Sequence, residues 1–270
     1  MIACLKKMHA QIIKNKILSP GYYRLTLNCP TLARVVKPGQ FVMIRVSNTY
    51  DPLLRRPFCI HYRDVNLVQI LYQVVGKGTK LMTEMLPGQM LDVLGPLGNG
   101  FRLYPDTRQA LLVGGGVGIA PLLFLAQELV QQKIESVLFL GGKTKDDLLA
   151  VDAFRQLNIR LFLATEDGSC GKTALVTNIL AEYLAQTSDT QNRAIFACGP
   201  MAMLAHIANS AQSHKLPCQV SLDVAMACGV GACGGCVVKT RGTGNEGFHY
   251  SRVCQEGPVF EATKILWESV

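Results

Sequence analysis

The run Gln109-Ala-Leu-Leu-Val-Gly-Gly-Gly-Val-Gly-Ile-Ala-Pro121 decides how the chain is organised. Gln109 to Val113 reads as a short buried strand, and Gly114, Gly115, Gly116 and Gly118 make a turn without side-chain bulk. Pro121 fits the first turn of a helix, where its missing N–H removes nothing. Strand, glycine turn and helix in this order aim peptide N–H groups at a point where a pyrophosphate can sit. The spacing departs from G-x-G-x-x-G, because Ile119 stands where the third glycine would fall. The stretch Ala110 to Ala126 is uncharged and reaches the lower limit of a membrane span, but the glycines and Pro121 break it, and no span is expected.

Downstream, apolar runs at Val137 to Leu140, Ile159 to Ala164 and Ala194 to Ala197 alternate with helical periodicity. The helices are expected at Ile119 to Gln132, Asp147 to Gln156, Leu175 to Ala185 and Met201 to His214. This alternation predicts a parallel, doubly wound α/β domain over residues 105–216, related in architecture to the Rossmann fold. Such sheets bind ligands at the carboxyl edge of their strands. Cys198, Gly199 and Pro200 lie on that edge and read either as a thiol facing a nicotinamide or as a plain turn into the next helix. Glu166 or Asp167, after another strand, can hold a ribose hydroxyl. Lys143 and Lys145 can attract a 2′-phosphate or simply be solvated, so the choice between NAD and NADP stays open.

Upstream, up to about Leu103, the period is two. Short runs at Met8 to Ile13, Tyr22 to Leu27, Phe41 to Val46, Phe58 to Tyr62, Leu67 to Val75 and Met90 to Leu94 predict a small antiparallel barrel over residues 1–104, with one short helix at Thr79 to Met85. Arg55-Arg56-Pro57-Phe58-Cys59-Ile60 opens one strand, and a guanidinium there can pair with a cofactor pyrophosphate; exposed arginines on an edge strand would look the same. Gly76-Lys77-Gly78-Thr79 opens the helix with N–H groups and a hydroxyl placed for a phosphate. Gly95-Pro-Leu-Gly-Asn-Gly-Phe101 closes the barrel half.

From residue 217 to 270 the chain turns Gly- and Cys-rich, too irregular for a third apolar core, so something besides side-chain packing is expected to hold it. Cys228, Cys233 and Cys236 have the spacing C-x4-C-x2-C, and Cys254 follows, the arrangement of plant-type [2Fe-2S] ligands. Gly229, Gly231, Gly234 and Gly235 let the backbone close around inorganic sulfides. A structural zinc site usually shows two separated C-x2-C pairs and has no need of such a loop. A cluster here would also supply folding free energy to the tail.

The formal charge of +8 is concentrated: residues 1–50 hold eight Lys and Arg and no acid, while the remainder balances at nineteen of each sign. These cations are scattered along alternating strands without interleaved aromatics, so a solvated sheet face is the simpler reading and no nucleic acid is expected. Lys6 and Lys7 follow the short apolar start instead of preceding it, which does not resemble an export signal, and a cytoplasmic location is expected. Outside the four ligand positions, Cys4, Cys29, Cys59, Cys170, Cys198 and Cys218 are expected to be mostly reduced core thiols.

In their order and spacing, the motifs from Arg55 to Phe260 resemble the ferredoxin-NADP reductase superfamily. More closely they resemble the electron-transfer subunits of B-type dihydroorotate dehydrogenases, whose cluster domain ends in Arg-Val-Cys-x-x-Gly-Pro-Val-Phe, here Arg252 to Phe260. The resemblance implies FAD against Arg56, Pro57, Phe58, Cys59, Leu71, Tyr72, Gln73, Gly78 and Thr79. It implies NAD near Gly114, Gly115, Gly116, Gly118, Pro121, Cys198, Gly199 and Pro200, and a [2Fe-2S] cluster on Cys228, Cys233, Cys236 and Cys254. No residue of this chain is implied in catalysis on dihydroorotate, which an FMN-containing catalytic subunit would oxidise, with two copies of each chain. Cys59 stands where the family commonly has Ser or Thr, and a thiol is a poorer donor to a flavin. A paralogous reductase subunit serving ferredoxin or sulfur compounds is the competing reading; some of those relatives replace a cluster cysteine by aspartate, against which Cys228 argues. A nicotinamide exchanges two electrons as hydride and a [2Fe-2S] centre one at a time, so a flavin is needed between them. Elemental and flavin analysis of anaerobically purified protein is expected to give one FAD and two irons per chain; zinc without iron would contradict the ligand assignment.

Overall fold

The structure, a computed structural model, describes residues 6–186, 191–242 and 247–267; Cys4 lies outside them. Six antiparallel strands, β1 (Lys6–Ser19), β2 (Tyr22–Asn28), β3 (Phe41–Arg45), β4 (Arg56–Arg63), β5 (Leu67–Gln73) and β6 (Met90–Leu97), close into a barrel in the order β1-β2-β5-β4-β3-β6. Helices α1 (Pro30–Ala33) and α2 (Lys77–Thr83) fill two of the connections. Leu25, Leu27, Val42, Ile44, Ile60, Val68 and Ile70 alternate inward and are wholly buried, which is the period-two signal of the sequence. β1 is much longer than the expected Met8 to Ile13. Residues Lys6–Gln11 pair with β6 and residues Gln11–Ser19 with β2, with irregularities after Ile12 and Ile17 where the strand bends from one neighbour to the other. Its second half carries Lys14, Asn15 and Lys16, so apolar counting misses it. Of the eight cations in the first 50 residues, all but Arg24 are exposed.

The second sheet contains β7 (Gln109–Gly115), β8 (Glu135–Gly142), β9 (Arg160–Thr165), β10 (Lys172–Thr173), β11 (Arg193–Cys198) and β12 (Cys218–Ser221), all parallel. Helices α3 (Ala120–Gln131), α4 (Val151–Gln156), α5 (Val176–Gln186) and α6 (Met201–Ser213) connect them. The chain starts at the central β7, moves out through β8, β9 and β10, then returns to place β11 and β12 on the other side of β7. That reversal is the doubly wound arrangement, and it leaves a crevice beyond the carboxyl ends of β7 and β11. The helix expected at Asp147 to Gln156 is only half formed. Asp147 accepts the Thr144 N–H at 3.0 Å and the Tyr22 hydroxyl at 2.7 Å, ending a short turn, and Ala150 with φ +59° separates it from α4.

The tail forms the hairpin β13 (Val237–Arg241) and β14 (Phe248–Arg252), the single turn α7 (Val253–Glu256) and β15 (Val259–Glu261). β15 pairs antiparallel with β12 and so extends the seven-stranded sheet. The expectation that packing could not hold this segment is corrected: Cys236, Val238, Val253, Cys254, Phe260 and Ile265 are buried in the same cluster as Leu111, Val113 and Ile195 of the parallel sheet. The tail needs no core of its own because it borrows one. Among the described residues, no helix is long and apolar enough to cross a membrane.

His61, on β4, is buried, and its Nδ1 donates to the carbonyl of Ala120 at the start of α3, 2.8 Å away, tying barrel to parallel sheet. Burial first, then the positive Arg24, pushes its pKa down to about 4, against the Ala120 hydrogen bond. In the unfolded chain it protonates near pH 6.5. Its contribution is therefore complete above pH 6.5 and lost as pH falls toward 4, at up to about 1.4 kcal/mol per pH unit. Unfolding free energy measured across pH 4–7 is expected to fall less steeply in His61→Gln than in the unsubstituted protein; equal slopes would contradict it.

Candidate cofactor cleft and iron-sulfur loop

A cleft of about 1240 Å³ runs between the barrel and the carboxyl edge of the parallel sheet. Its barrel wall contains Arg56, Pro57, Phe58 and Cys59 from the start of β4, Leu71, Tyr72 and Gln73 from the end of β5, and Thr79. Its opposite wall contains Gly115, Gly116, Gly118, Pro121, Cys198, Gly199 and Pro200. Two expected residues, Gly78 and Gly114, do not line it. A Cβ at Gly78 would lie 2.8 Å from Arg56 Nε, so its absence makes room for that guanidinium; Gly114 faces Ile119 within the sheet layer. The adjacent arginines diverge. Arg56 Nη1 donates to the Leu54 carbonyl at 2.6 Å on the cleft side, whereas Arg55 pairs with Asp92 at 2.8 Å. Although burial pushes the Asp92 pKa up, the Arg55 and Lys7 contacts outweigh it and hold the group below its ordinary value. The Thr79 hydroxyl is engaged within its own turn, accepting the N–H of Val75 at 2.9 Å and donating to the Gly76 carbonyl at 3.0 Å.

Tyr72 is fixed by stacking on Tyr23, with ring centroids 5.4 Å apart, and by donating to Asn15 Oδ1 at 3.2 Å. A neighbouring chain of polar groups crosses the cleft floor: Gln73 Nε2 donates to the Tyr22 hydroxyl at 3.1 Å, which donates to Asp147. Of the two acids offered for a ribose, Glu166 lines the cleft, while the Asp167 carboxylate folds back on the N–H and hydroxyl of Ser169, at 2.9 and 2.6 Å. Lys143 also lines the cleft.

The residues after β12 form a wall that sequence reasoning missed: Ser221 to Met226 enter the cleft directly before the cysteine loop. Asp223 among them keeps an exposed edge, and the protein packed around its carboxyl raises its pKa. Burial and the Asp223 charge push Cys59 up to about 12. Burial, then Cys59 and Asp223, raise Cys198 well above its ordinary value, against a hydrogen bond with Ser221. Both thiols therefore face the cleft as neutral S–H groups at neutral pH. The only sequence signal for Asp223 was an acid beside an apolar strand in a segment without periodicity.

In the cysteine loop, peptide N–H groups are turned toward sulfur. Val230 N–H donates to Cys228 Sγ at 3.4 Å, Gly231 N–H to Cys254 Sγ at 3.1 Å, and Cys254 N–H to Cys236 Sγ at 3.4 Å. Burial raises the Cys228 pKa, but the N–H groups of Val230, Cys233 and Ala232 and the Cys233 thiol outweigh it and bring it down to about 6. Gly229 and Gly231 have φ of +71° and +79°, the left-handed conformation that lets successive N–H groups converge. A Cβ at Gly229 would also lie 2.5 Å from Met43 Cγ on β3. Three cysteines on a glycine-rich loop with inward N–H donors, and Cys254 on α7 beside it, suit thiolate ligation of an iron-sulfur cluster. Cys233 is the exposed member; Cys236 and Cys254 are buried.

Two family models match the chain: an oxidoreductase NAD-binding domain over residues 112–209, and the iron-sulfur cluster binding domain of dihydroorotate dehydrogenase B over residues 224–266. The dihydroorotate dehydrogenase B (NAD(+)) electron transfer subunit of Desulforamulus reducens is 36% identical over 266 residues, 97% of this chain and 99% of the relative. That of Caldanaerobacter subterraneus subsp. tengcongensis is 37% identical over 261 residues, with the same coverage. Among solved structures, a chain of the NADH-dependent reduced ferredoxin-NADP oxidoreductase, described for flavin-based electron bifurcation, superposes with a TM-score of 0.83 at 29% identity, covering 96% of this chain and 90% of that one. A ferredoxin NADP+ reductase from Neisseria gonorrhoeae, with bound FAD and NADP, shares the fold at a TM-score of 0.66 and 18% identity, over 77% of this chain and 92% of that one. Barrel, doubly wound sheet and cysteine-rich tail thus define an NAD-linked oxidoreductase of the ferredoxin-NADP reductase fold with an added iron-sulfur domain. Within that class, the chain belongs to the electron transfer subunits of dihydroorotate dehydrogenase B (NAD(+)).

At the crevice the two glycine turns touch. A Cβ on Gly118 would lie 2.4 Å from the Cys198 carbonyl oxygen and 2.7 Å from the Gly199 Cα, both backbone atoms that cannot swing aside. Gly118→Ala is expected to cost about 1–3 kcal/mol of stability through overpacking, and to weaken retention of the dinucleotide more than that of the flavin. Thermal unfolding and equilibrium dialysis check both parts.

Proposed function

We propose that this chain carries electrons from the catalytic subunit of dihydroorotate dehydrogenase B to NAD+, in pyrimidine biosynthesis, with FAD, a [2Fe-2S] cluster and NAD as its cofactors. The observation that carries the reading is the continuity between cysteine loop and cleft. Gly229 presses on Met43 of β3, and the cross-strand partner of Met43 is Pro57, in the flavin wall. One strand separates the loop from the cleft.

In this reading residues 1–104, 105–216 and 217–270 serve FAD, NAD and the cluster in turn, although β12 and β15 of the last unit lie in the sheet of the second. FAD, when bound, supplies the conversion between hydride transfer at a nicotinamide and single-electron transfer at a cluster. Arg56 would pair with its pyrophosphate, and Gly78 keeps the space that guanidinium occupies. Pro57, Phe58, Cys59, Leu71, Tyr72 and Gln73 would flank the ring system and exclude water, with Thr79 shaping the neighbouring turn. Gly114, Gly115, Gly116, Gly118 and Pro121 would receive the dinucleotide pyrophosphate, and Cys198, Gly199 and Pro200 its nicotinamide end, with Glu166 on a ribose. The thiols of Cys59 and Cys198, neutral at neutral pH, would themselves add no anionic charge beside a bound flavin and nicotinamide. Cys228, Cys233, Cys236 and Cys254 would ligate the cluster. The partner is the catalytic subunit; we further assign it FMN, two copies of each chain to the assembly, and a cytoplasmic location, in which the thiols stay reduced.

Cys233→Ser separates the two halves of the route. It is expected to abolish NAD+ reduction by dihydroorotate while sparing NADH oxidation by artificial acceptors that draw on the flavin. Assembly with the catalytic subunit is checked by size before rates are compared. A fully assembled variant without cluster absorption that reduces NAD+ at the normal rate would refute the proposed route.

A further inference from the structure

The hairpin β13–β14 has two unlike faces. Its register pairs Val237 with Arg252, Lys239 with Tyr250 and Arg241 with Phe248, so these six side chains project from one side. On the other side Val238, Thr240 and Ser251 are buried, and the Thr240 hydroxyl meets the Ser251 hydroxyl at 2.8 Å and His249 Nε2 at 3.0 Å. That network fixes which face turns outward.

The outward face is built, yet among the described residues Tyr250 and Val237 on it are left largely uncovered. Phe248 and Tyr250 meet edge to face at 5.7 Å, and Lys239 Nζ sits 4.8 Å above the Phe248 ring. Tyr250 is nevertheless 60% exposed and Val237 41%. Arg241 Nε is held by the Thr263 carbonyl at 3.1 Å. Arg252 pairs with Glu256 and donates to the Gly231 carbonyl at 3.0 Å. The face thus carries three cations against one carboxylate. Through Arg252 it is joined to the cysteine loop, whose exposed rim, Cys233 to Gly235, runs into β13 one residue later.

Aromatic side chains held in place, with arginine beside them and little opposing charge, are the makings of an interface centre. The geometry points to this face as the docking surface for the catalytic subunit, which would offer an apolar socket with an acidic rim to Tyr250, Val237 and Lys239. Continuity decides the occupant: the protein that exchanges electrons through the cysteine loop must approach its exposed rim, and this face borders that rim. Val65, another exposed apolar side chain, stands singly in the turn between β4 and β5. The inference rests on the reading that the partner is the catalytic subunit.

The test uses the cofactor-loaded chain and the separately purified catalytic subunit. Tyr250→Glu and Lys239→Glu are each expected to weaken association about tenfold or more, with flavin and cluster absorption and NADH oxidation by an artificial acceptor unchanged; Val65→Glu serves as the control and keeps normal association. A photo-crosslinking residue placed at position 250 is expected to capture the catalytic subunit. Normal association of both hairpin variants, or capture only of a second copy of this chain, overturns the docking surface. If the unsubstituted chain does not bind the catalytic subunit, the partner assignment itself fails, a result seen before any substitution is made.

Discussion

Everything in this molecule closes on β3, a strand buried on both faces. Val42 and Ile44 point into the barrel, among Leu25, Ile60 and Ile70. Phe41 and Met43 point the other way, into a cluster that also contains Val113 and Ile195 of the parallel sheet and Cys236 and Cys254 of the tail. An edge strand with a wet face could not do this. Because barrel, sheet and tail all bury apolar surface against one strand, the barrel wall of the cleft, the glycine turns opposite it and the cysteine loop are held at fixed mutual positions.

The pooled core explains how a tail of few apolar residues and many glycines is organised by the chain itself. β12 and β15 add strands to an existing sheet, and Asn99 fastens the barrel to the turn that carries Cys254, its side chain donating to the Gln255 and Glu256 carbonyls at 3.0 Å. The cluster is thus asked for less folding free energy than an isolated metal-held domain would require. The pooled core also accounts for the Gly95 to Phe101 motif, which positions the turn that carries Cys254 instead of merely ending the barrel.

Electrostatics follow the same division. The basic surplus of the first 50 residues is spread over exposed positions of the barrel. Along the cleft, burial raises the pKa of two thiols, of a tyrosine hydroxyl and of the Asp223 carboxyl. Burial penalises the charged form of each, so both thiols and the tyrosine hydroxyl stay uncharged at neutral pH.

The sequence by itself determined what depends on short-range pattern. Period-two alternation marked the barrel, the run from Gln109 to Pro121 marked the parallel sheet, and the cysteine spacing marked the cluster loop, because strand pleat, helix turn and ligand reach are each set within a few residues. The paired arginines were legible as a motif, but not that Arg56 faces the cleft while Arg55 is turned to Asp92. The length of β1, the sheet membership of β12 and β15, the broken turn after Asp147 and the place of Asp223 were decided only by the tertiary structure. Each depends on a partner distant in sequence: β2 for the polar half of β1, a neighbouring sheet edge for two short runs, Tyr22 for a carboxylate, and Cys59 on β4 and Cys198 on β11 for the acid that acts on both. Side chains of these segments carry no periodic signal, since their burial is created by what packs against them.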